Sequence, residues 1–258
     1  MNILLSNDDG VHAEGIKTLA LELRKIARVF VVAPLEERST TGHTLSLDVP
    51  LRVRKIDEDT FGCSGYPADC IMMAIGHLLF NEPIDLVISG INRGANLGQD
   101  IYYSGTVAAA REACFQGYKS IAVSTVFEHR SFKEGQNKYY ETAAHFVAKI
   151  VKSGIYKKLN THELLNVNVP ALPFAEVLGV EVTSLGFRKY SPDISERRDC
   201  RERPYYWIGG LYKGSSDISG SDCLALESKK ISVTPINVLL KNTDLINHWK
   251  NHFSEIDN

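Results

Sequence analysis

Short apolar runs ended by turn residues alternate along this chain with segments whose apolar positions recur at helical spacing. Ile3, Leu4 and Leu5 form the first run and Asn7, Asp8, Asp9 and Gly10 end it, which predicts a buried strand over 2–6. Ile16, Leu19, Ala20, Leu23 and Ile26 then repeat every three or four residues, predicting a helix over 15–26. Further strand-like runs stand at 28–33, closed by Pro34, and at 51–56, 85–89 and 120–124. Helical segments fall between them at 67–80, 106–116 and 139–151, the first with Pro67 suitably placed in its opening turn. A polar loop, LEERSTTGHTLSL, fills 35–47, and a glycine-rich one, GINRGANLGQD, fills 90–100.

Strands alternating with helices predict an α/β fold: a Rossmann-like, mostly parallel sheet with helices on both faces. Such sheets hold their ligands at the carboxyl ends of the strands. Beyond about residue 160 the alternation weakens. Segments 164–169 and 177–184 read as strands, a Gly-, Ser- and Arg-rich stretch follows, and only a strand at 231–235 and a terminal helix from Thr243 look regular. With no internal repeat and no low-complexity tract, the expectation is one domain over 1–258, a core of about 1–160 and a C-terminal extension over 161–258.

Composition narrows the function classes. With 258 residues, 44% of them hydrophobic, the chain can bury a substantial core. A formal net charge of -2 supplies no global attraction for nucleic acid or an anionic membrane, so stable binding to either is not expected. Cys63, Cys70, Cys114, Cys200 and Cys223 are odd in number and contain no Cys-x-x-Cys pair, which predicts free thiols in a reducing compartment. No run approaches the roughly 18 apolar residues of a membrane span, and the first apolar run breaks at two acids, unlike a signal peptide. A cytoplasmic protein is expected.

Three strand-end loops carry the candidate chemistry. The first offers the carboxylates Asp8 and Asp9, the second Ser39, Thr40 and Thr41, the third Asn92, Asn96, Ser104 and Thr106. Two adjacent acids repel each other, so on their own they are as well explained by a tight turn that caps the next helix. Beside neutral hydroxyls and amides they make an all-oxygen set suited to a hard cation such as Mg²⁺ or Mn²⁺. Zinc fits less well, since no His-Glu-x-x-His pattern occurs and His248 and His252, four apart on the expected terminal helix, suit a solvated face. Ser104, Gly105 and Thr106 open the helix at 106–116, where unpaired N–H groups favour an anion; an ordinary Ser/Thr cap is the plainer reading without the acids nearby.

The residues also resemble a known family, the SurE survival proteins, which are metal-dependent 5'/3'-nucleotidases and broad phosphomonoesterases. ILLSNDDG at 3–10, VAPLEERSTTGHTLSL at 32–47, PADC at 67–70, ISGINRGANLGQDIYYSGTVAAAREA at 88–113 and LNVNVP at 165–170 carry the resemblance in the family's order. The resemblance implies metal ligation by Asp8, Asp9, Ser39 and Asn92, with one divalent cation, Mg²⁺ or Mn²⁺, per subunit. It implies phosphate contacts from Asn96, Ser104, Gly105 and Thr106, hydrolysis of nucleoside monophosphates, and activity on 3'-nucleotides or short polyphosphate as a further possibility. It also implies a homo-oligomer, dimer or tetramer, in which an extended C-terminal arm reaches a neighbour. The chain departs from the family at Tyr66, where a small threonine is usual, and at Ser228, Lys229 and Lys230, which replace a Gly-aromatic turn.

The implied chemistry is attack of a metal-activated water on a phosphate monoester, with Asp8 or Asp9 accepting the proton. His43 in the Ser39 loop is a candidate leaving-group acid, with packing of that loop as its simpler role. A phosphoenzyme route is disfavoured because Gly10 stands where an aspartate-nucleophile phosphatase carries its second aspartate. A phosphorylation-dependent signalling module lacks its accepting aspartate, since DLVIS leads to Gly90 and Asn92. A dinucleotide oxidoreductase would need Gly-x-Gly-x-x-Gly where DDG stands. A nucleotide-binding protein without turnover is the remaining alternative.

Overall fold

The computed structural model describes residues 1–127, 138–239, 246–247 and 249–250. Its centre is a nine-stranded sheet. The strands are β1 (Asn2–Ser6), β2 (Arg28–Pro34), β3 (Val53–Lys55), β4 (Thr60–Cys63), β5 (Leu86–Arg93), β6 (Ser120–Val126), β7 (Glu163–Pro170), β8 (Val180–Val182) and a last strand, Ile231–Asn237. The spatial order is β3-β4-β2-β1-β5-β6-β7, then Ile231–Asn237, then β8. From β4 to β7 every neighbouring pair is parallel, while β3 and Ile231–Asn237 run antiparallel to their inner neighbours.

The period of two along β1 sorts its side chains into two layers. Ile3 and Leu5 join a buried cluster with Ile16, Leu19 and Leu23 of α1 (Glu14–Leu23) and Ala143, Ala144 and Val147 of α4 (Lys138–Ser153). Leu4 points the other way, into a cluster with Cys70 and Ile71 of α2 (Pro67–Met73) and Ala109 and Ala113 of α3 (Gly105–Phe115). Alanines and glycine at the packed positions of α3 let its backbone lie close to the sheet. The five cysteines are free thiols.

The chain builds β1, β2 and β4 toward one edge and then crosses to β5, β6 and β7 on the other side. The strand order therefore reverses between β1 and β5. A crevice opens at such a reversal, because the flanking connections leave in opposite directions. Asp8 and Asp9 follow β1, and Asn92 lies at the end of β5.

Several expectations need correction. β4, with the sequence TFGC, was not foreseen because four residues with an internal glycine carry no periodicity, and the strand expected at 51–56 is only Val53–Lys55. The helix expected over 67–80 ends as α-helix at Met73 and widens into a π turn over Ala74–Leu78. The strand expected over 177–184 shrinks to β8. The irregular stretch contains β9 (Arg188–Tyr190), β10 (Ile194–Arg198), β11 (Pro204–Ile208) and β12 (Tyr212–Ser215), after which Ile231–Asn237 is β13. They form two small antiparallel sheets, β10 with β11 and β12 with β9. Most of the expected terminal helix, including His248 and His252, lies outside the described residues.

Candidate metal and phosphate site

The turn after β1 is shaped by Asn7, whose side-chain amide donates to Gly10 O at 2.9 Å while its Oδ1 accepts from Gly10 N at 3.2 Å. This closed turn puts the two acids in different surroundings. Asp8 is only 4% exposed, whereas Asp9 is partly open. Burial pushes the Asp8 carboxyl up to about 6; a hydrogen bond from Thr106 opposes the shift and the charge of Asp9 adds to it. Asp9 is also raised by burial and by the charge of Glu37, against the backbone N–H and the charge of Arg93.

Helix α3 abuts Asp8 directly. The Thr106 hydroxyl donates to Asp8 Oδ1, and Ser104 caps the helix by accepting from Val107 N at 3.0 Å. A Cβ on Gly105 would sit 2.7 Å from Asp8 Cβ, 3.0 Å from Asp8 Oδ2 and 3.1 Å from Pro67 Cγ, so only glycine lets the helix start this near the carboxylate. The positive end of the helix dipole thereby faces a negative group.

The residues next to Ser39 and Asn92 are bonded to the acid turn. Arg38 N donates to Asp8 O at 2.7 Å, which ties the 35–47 loop to the acid turn, and Arg93 N donates to Asp9 Oδ2 at 3.0 Å, which ties in the end of β5. The β5–β6 register shifts between Ser89 and Asn92, and Gly90, at φ +135°, makes the irregularity possible. The Asn92 amide nitrogen donates to Gly94 O at 3.0 Å, so its Oδ1 is the atom free to accept. The exposed Ser39 hydroxyl donates to Glu37 Oε1 at 2.8 Å, so its lone pairs remain for a cation.

Asn96, expected to contact phosphate, has its side-chain nitrogen bonded within the protein. Its Nδ2 donates to Ser124 Oγ at 2.9 Å, its backbone N–H donates to Asn168 Oδ1 at 3.0 Å, and its carbonyl accepts from Asn166 at 2.8 Å and Asn168 at 3.0 Å. Asn96 is thus an anchor for the loop between Asn92 and Ser104, and its amide nitrogen is already committed. The two asparagines of LNVNVP are its partners; their spacing of two on a buried strand was the sequence signal. Removing Asn168 orphans the Asn96 N–H. Asn168→Ala is therefore expected to cost about 1–3 kcal/mol, read as a lowered urea midpoint.

Reasoning from sequence also missed Glu37, the partner of Ser39, and Asp69, which accepts from Ser46 N at 2.9 Å, Ser46 Oγ at 2.8 Å and Tyr66 N at 2.8 Å. Asp69 pins the far end of the Ser39 loop to α2. His43 has both ring nitrogens engaged, with Glu112 and Arg111. An open cleft of about 810 Å³ between α1 and α4, bordered by Glu14, Leu21 and Phe174, holds none of these groups.

Four side-chain oxygens are open to a cation. Asp8 Oδ2, Asp9 Oδ1, Asn92 Oδ1 and Ser39 Oγ are oxygens not used as acceptors in the hydrogen bonds above. Two of them belong to neighbouring carboxylates that burial and nearby negative charge destabilise as anions, which a divalent charge would relieve. Among the described residues no group of three or more His, Cys, Asp or Glu side chains could hold a metal ion, so nitrogen- or sulfur-rich zinc ligation has no site there. The residues fit a hard divalent ion.

A family model described as survival protein SurE matches residues 3–192. The chain is 47% identical to the 5'-nucleotidase SurE of Geobacter sulfurreducens over 242 residues, 94% of this chain and 90% of that protein. It is 44% identical to the 5'-nucleotidase SurE of Vibrio campbellii, covering 92% of this chain and 89% of the relative. The crystal structure of the SurE protein from Aquifex aeolicus superposes with a TM-score of 0.84 at 36% identity, covering 97% of this chain and 99% of that one. With two raised carboxylates at the strand-order reversal and a likeness that spans nearly the whole chain, this protein belongs to the SurE family.

Proposed function

We propose that the chain is a divalent-cation-dependent 5'-nucleotidase that hydrolyses nucleoside monophosphates by attack of water. The observation that carries this reading is the buried Asp8 carboxylate, raised to about 6 beside a second acid and set against the start of a helix. The relatives named 5'-nucleotidase supply the substrate class. Asp8, Asp9, Asn92 and Ser39 would hold the ion. When bound, Mg²⁺ or Mn²⁺ supplies charge neutralisation at the phosphate oxygens and a water of lowered pKa. Asp8 and Asp9 are the groups placed to accept that water's proton. Ser104 fixes the helix start, and Gly105 and Thr106 present the first turn of α3 to the transferring group, where positioning and charge stabilisation do most of the catalytic work.

The test is phosphate release from 5'- and 3'-nucleoside monophosphates and short polyphosphate, with Mg²⁺, Mn²⁺ or chelator. Turnover of 5'-monophosphates that chelator abolishes is the expected result. Binding of nucleotide without release under any metal would replace the enzyme with a binding protein.

Protons compete with the cation at Asp8. Because its metal-free carboxyl lies at about 6, apparent Mn²⁺ affinity should hold above that pH and fall by up to about tenfold per pH unit below it. Calorimetric titration between pH 4.5 and 7.5 would read this; a flat profile over that range would contradict it.

Tyr66 and Arg38 form a wall beside the site. The Arg38 guanidinium lies 5.4 Å from the Tyr66 ring centroid, and the neighbouring Pro67 borders Gly105. Stacking of a nucleobase on the Tyr66 ring would contribute about 0.5–1.5 kcal/mol. Tyr66→Thr should therefore change KM ratios among the four nucleoside monophosphates by roughly threefold to tenfold while KM for ribose 5-phosphate stays level; parallel changes in all five would count against it.

Assembly belongs to the same proposal. The β10–β11 hairpin exposes Ile194, Tyr206, Trp207 and Ile208 together, Ile208 at 89%, an apolar arm with no core of its own to cover. We assign it to contact with a second copy in a dimer or tetramer, to be read by light scattering of the full chain against Trp207→Ser.

A further inference from the structure

We propose that His43, Arg111 and Glu112 form a positioning device that sets Ser39 for metal binding by locking its loop to helix α3; this rests on the metal reading above. His43 Nε2 lies 2.9 Å from Glu112 Oε2, and Arg111 Nε donates to His43 Nδ1 at 3.1 Å. A guanidinium carries its proton throughout the working pH range, so Nδ1 is the acceptor and the ring proton sits on Nε2, donated to Glu112. The neutral Nε2–H tautomer is the form that satisfies both neighbours. With both nitrogens committed, His43 does not serve as leaving-group acid in this arrangement.

The far side of the device is rigid. The Glu112 side chain is 8% exposed, and its other oxygen accepts from Gln116 Nε2 at 2.9 Å. The His43 hydrogen bond holds its carboxyl below the usual range, with Gln116 adding and burial opposing. The Phe115 ring lies 5.7 Å from the imidazole centroid.

The near side is exposed, its turn closed on itself by Thr41 Oγ1 donating to Arg38 O at 2.8 Å. Ser39 and Thr40 are exposed, Thr40 sits at φ +60°, and the Ser39 hydroxyl bonds only two residues away to Glu37 of the same turn. Its position relative to Asp8 is therefore inherited from whatever holds the turn. Arg38 N to Asp8 O holds one end; Gly42 N to Tyr103 O at 2.9 Å and the His43 bonds hold the other.

Helix α3 is the shared reference. Thr106 in its first turn touches Asp8, and Glu112, six residues on, lies roughly 9 Å further along the axis at about 1.5 Å per residue. One helix thus indexes a carboxylate ligand at its start and the hydroxyl ligand's loop farther along. A residue that acts this way changes cation affinity only through Ser39.

The test is Mn²⁺ titration calorimetry on the full-length protein carrying His43→Ala, Ser39→Ala and both, with amide hydrogen exchange at Gly42 in the metal-free state. His43→Ala is expected to raise the Mn²⁺ Kd about tenfold and to speed exchange at Gly42. In the Ser39→Ala background the same change should move Kd less than about twofold, since coupled residues are not additive. His43→Gln, whose amide can donate to Glu112 and accept from Arg111, should recover most of the affinity, and Glu112→Ala should repeat the defect from the helix side. Equal effects in both backgrounds, or a lowered Tm with Kd intact, would overturn the proposal. A wild type that binds no Mn²⁺ would fail the metal reading, and this role with it, whatever the Gly42 exchange reported.

Discussion

Asp8→Asn should abolish metal-dependent phosphate release and, at the same time, raise the melting temperature of the metal-free protein. The first effect follows from losing a charged ligand. If that ligand contributes about 4 kcal/mol to the transition state, kcat/KM falls roughly 10³-fold. The second follows from linkage. The folded carboxyl lies at about 6 against an ordinary 3.8, so the folded state binds the proton more tightly than the unfolded one. The stability associated with the protonated form is complete below the unfolded value and is lost as pH rises through the folded value.

At pH 7 the ionised Asp8 therefore costs the metal-free fold up to about 3 kcal/mol, at about 1.4 kcal/mol per pH unit. An asparagine is neutral and keeps an oxygen to accept from Thr106. The metal-free variant should melt several degrees higher at pH 7 and gain nothing at pH 4. Added Mn²⁺ reverses the ranking, since it stabilises the wild type by mass action and the variant far less. A variant that melts lower than wild type at pH 7 without metal would mean that Asp8 is not a stressed anion.

Gly15→Ala is expected to be strongly destabilising although it adds a single methyl to a helix. Helix propensity argues the other way, favouring alanine over glycine by up to about 1 kcal/mol. The tertiary contact decides. A Cβ at Gly15 would stand 2.0 Å from Ile91 O and 3.1 Å from Ile91 C, and its neighbour there is backbone of the central strand β5, which cannot rotate aside. Helix α1 must lift off the sheet by roughly 1 Å, and overpacking of that kind costs about 1–3 kcal/mol or more.

Ile91 immediately precedes Asn92, so the displacement also reaches a residue proposed to hold the cation. The urea midpoint should fall by the equivalent of about 2 kcal/mol net, and Mn²⁺ affinity should weaken. Gly76→Ala is the control, because nothing lies within 4 Å of the Cβ that it adds. A Gly15→Ala protein as stable as wild type would show that α1 does not pack on β5 as closely as described.

Local pattern was enough for the elements that bury a face. The apolar runs of β1, β5 and β6 and the three-and-four spacing of α1 appear where they were expected, to within a few residues, because each must bury a regular face and writes that period into the chain. The placement of two acids, a hydroxyl loop and a glycine-rich loop at strand ends follows from the same alternation. Elements that are very short or lack a buried face left no such mark. β9 to β12 are half-buried or exposed along their length, and β4 is four residues with a glycine, so neither carried a period to read.

Which of the site's polar groups face the crevice was decided only in three dimensions. Asn92 and Asn96 are four residues apart in one loop, yet Asn92 keeps its oxygen available whereas Asn96 is bonded to Asn168, 72 residues away. His43 is bonded to Glu112 across 69 residues. Hydrogen bonds of that span depend on how the strands stack, and no local period encodes them. The same holds for the raised Asp8 carboxyl: two acids in sequence state a charge, and only burial in the fold pushes one of them up to about 6.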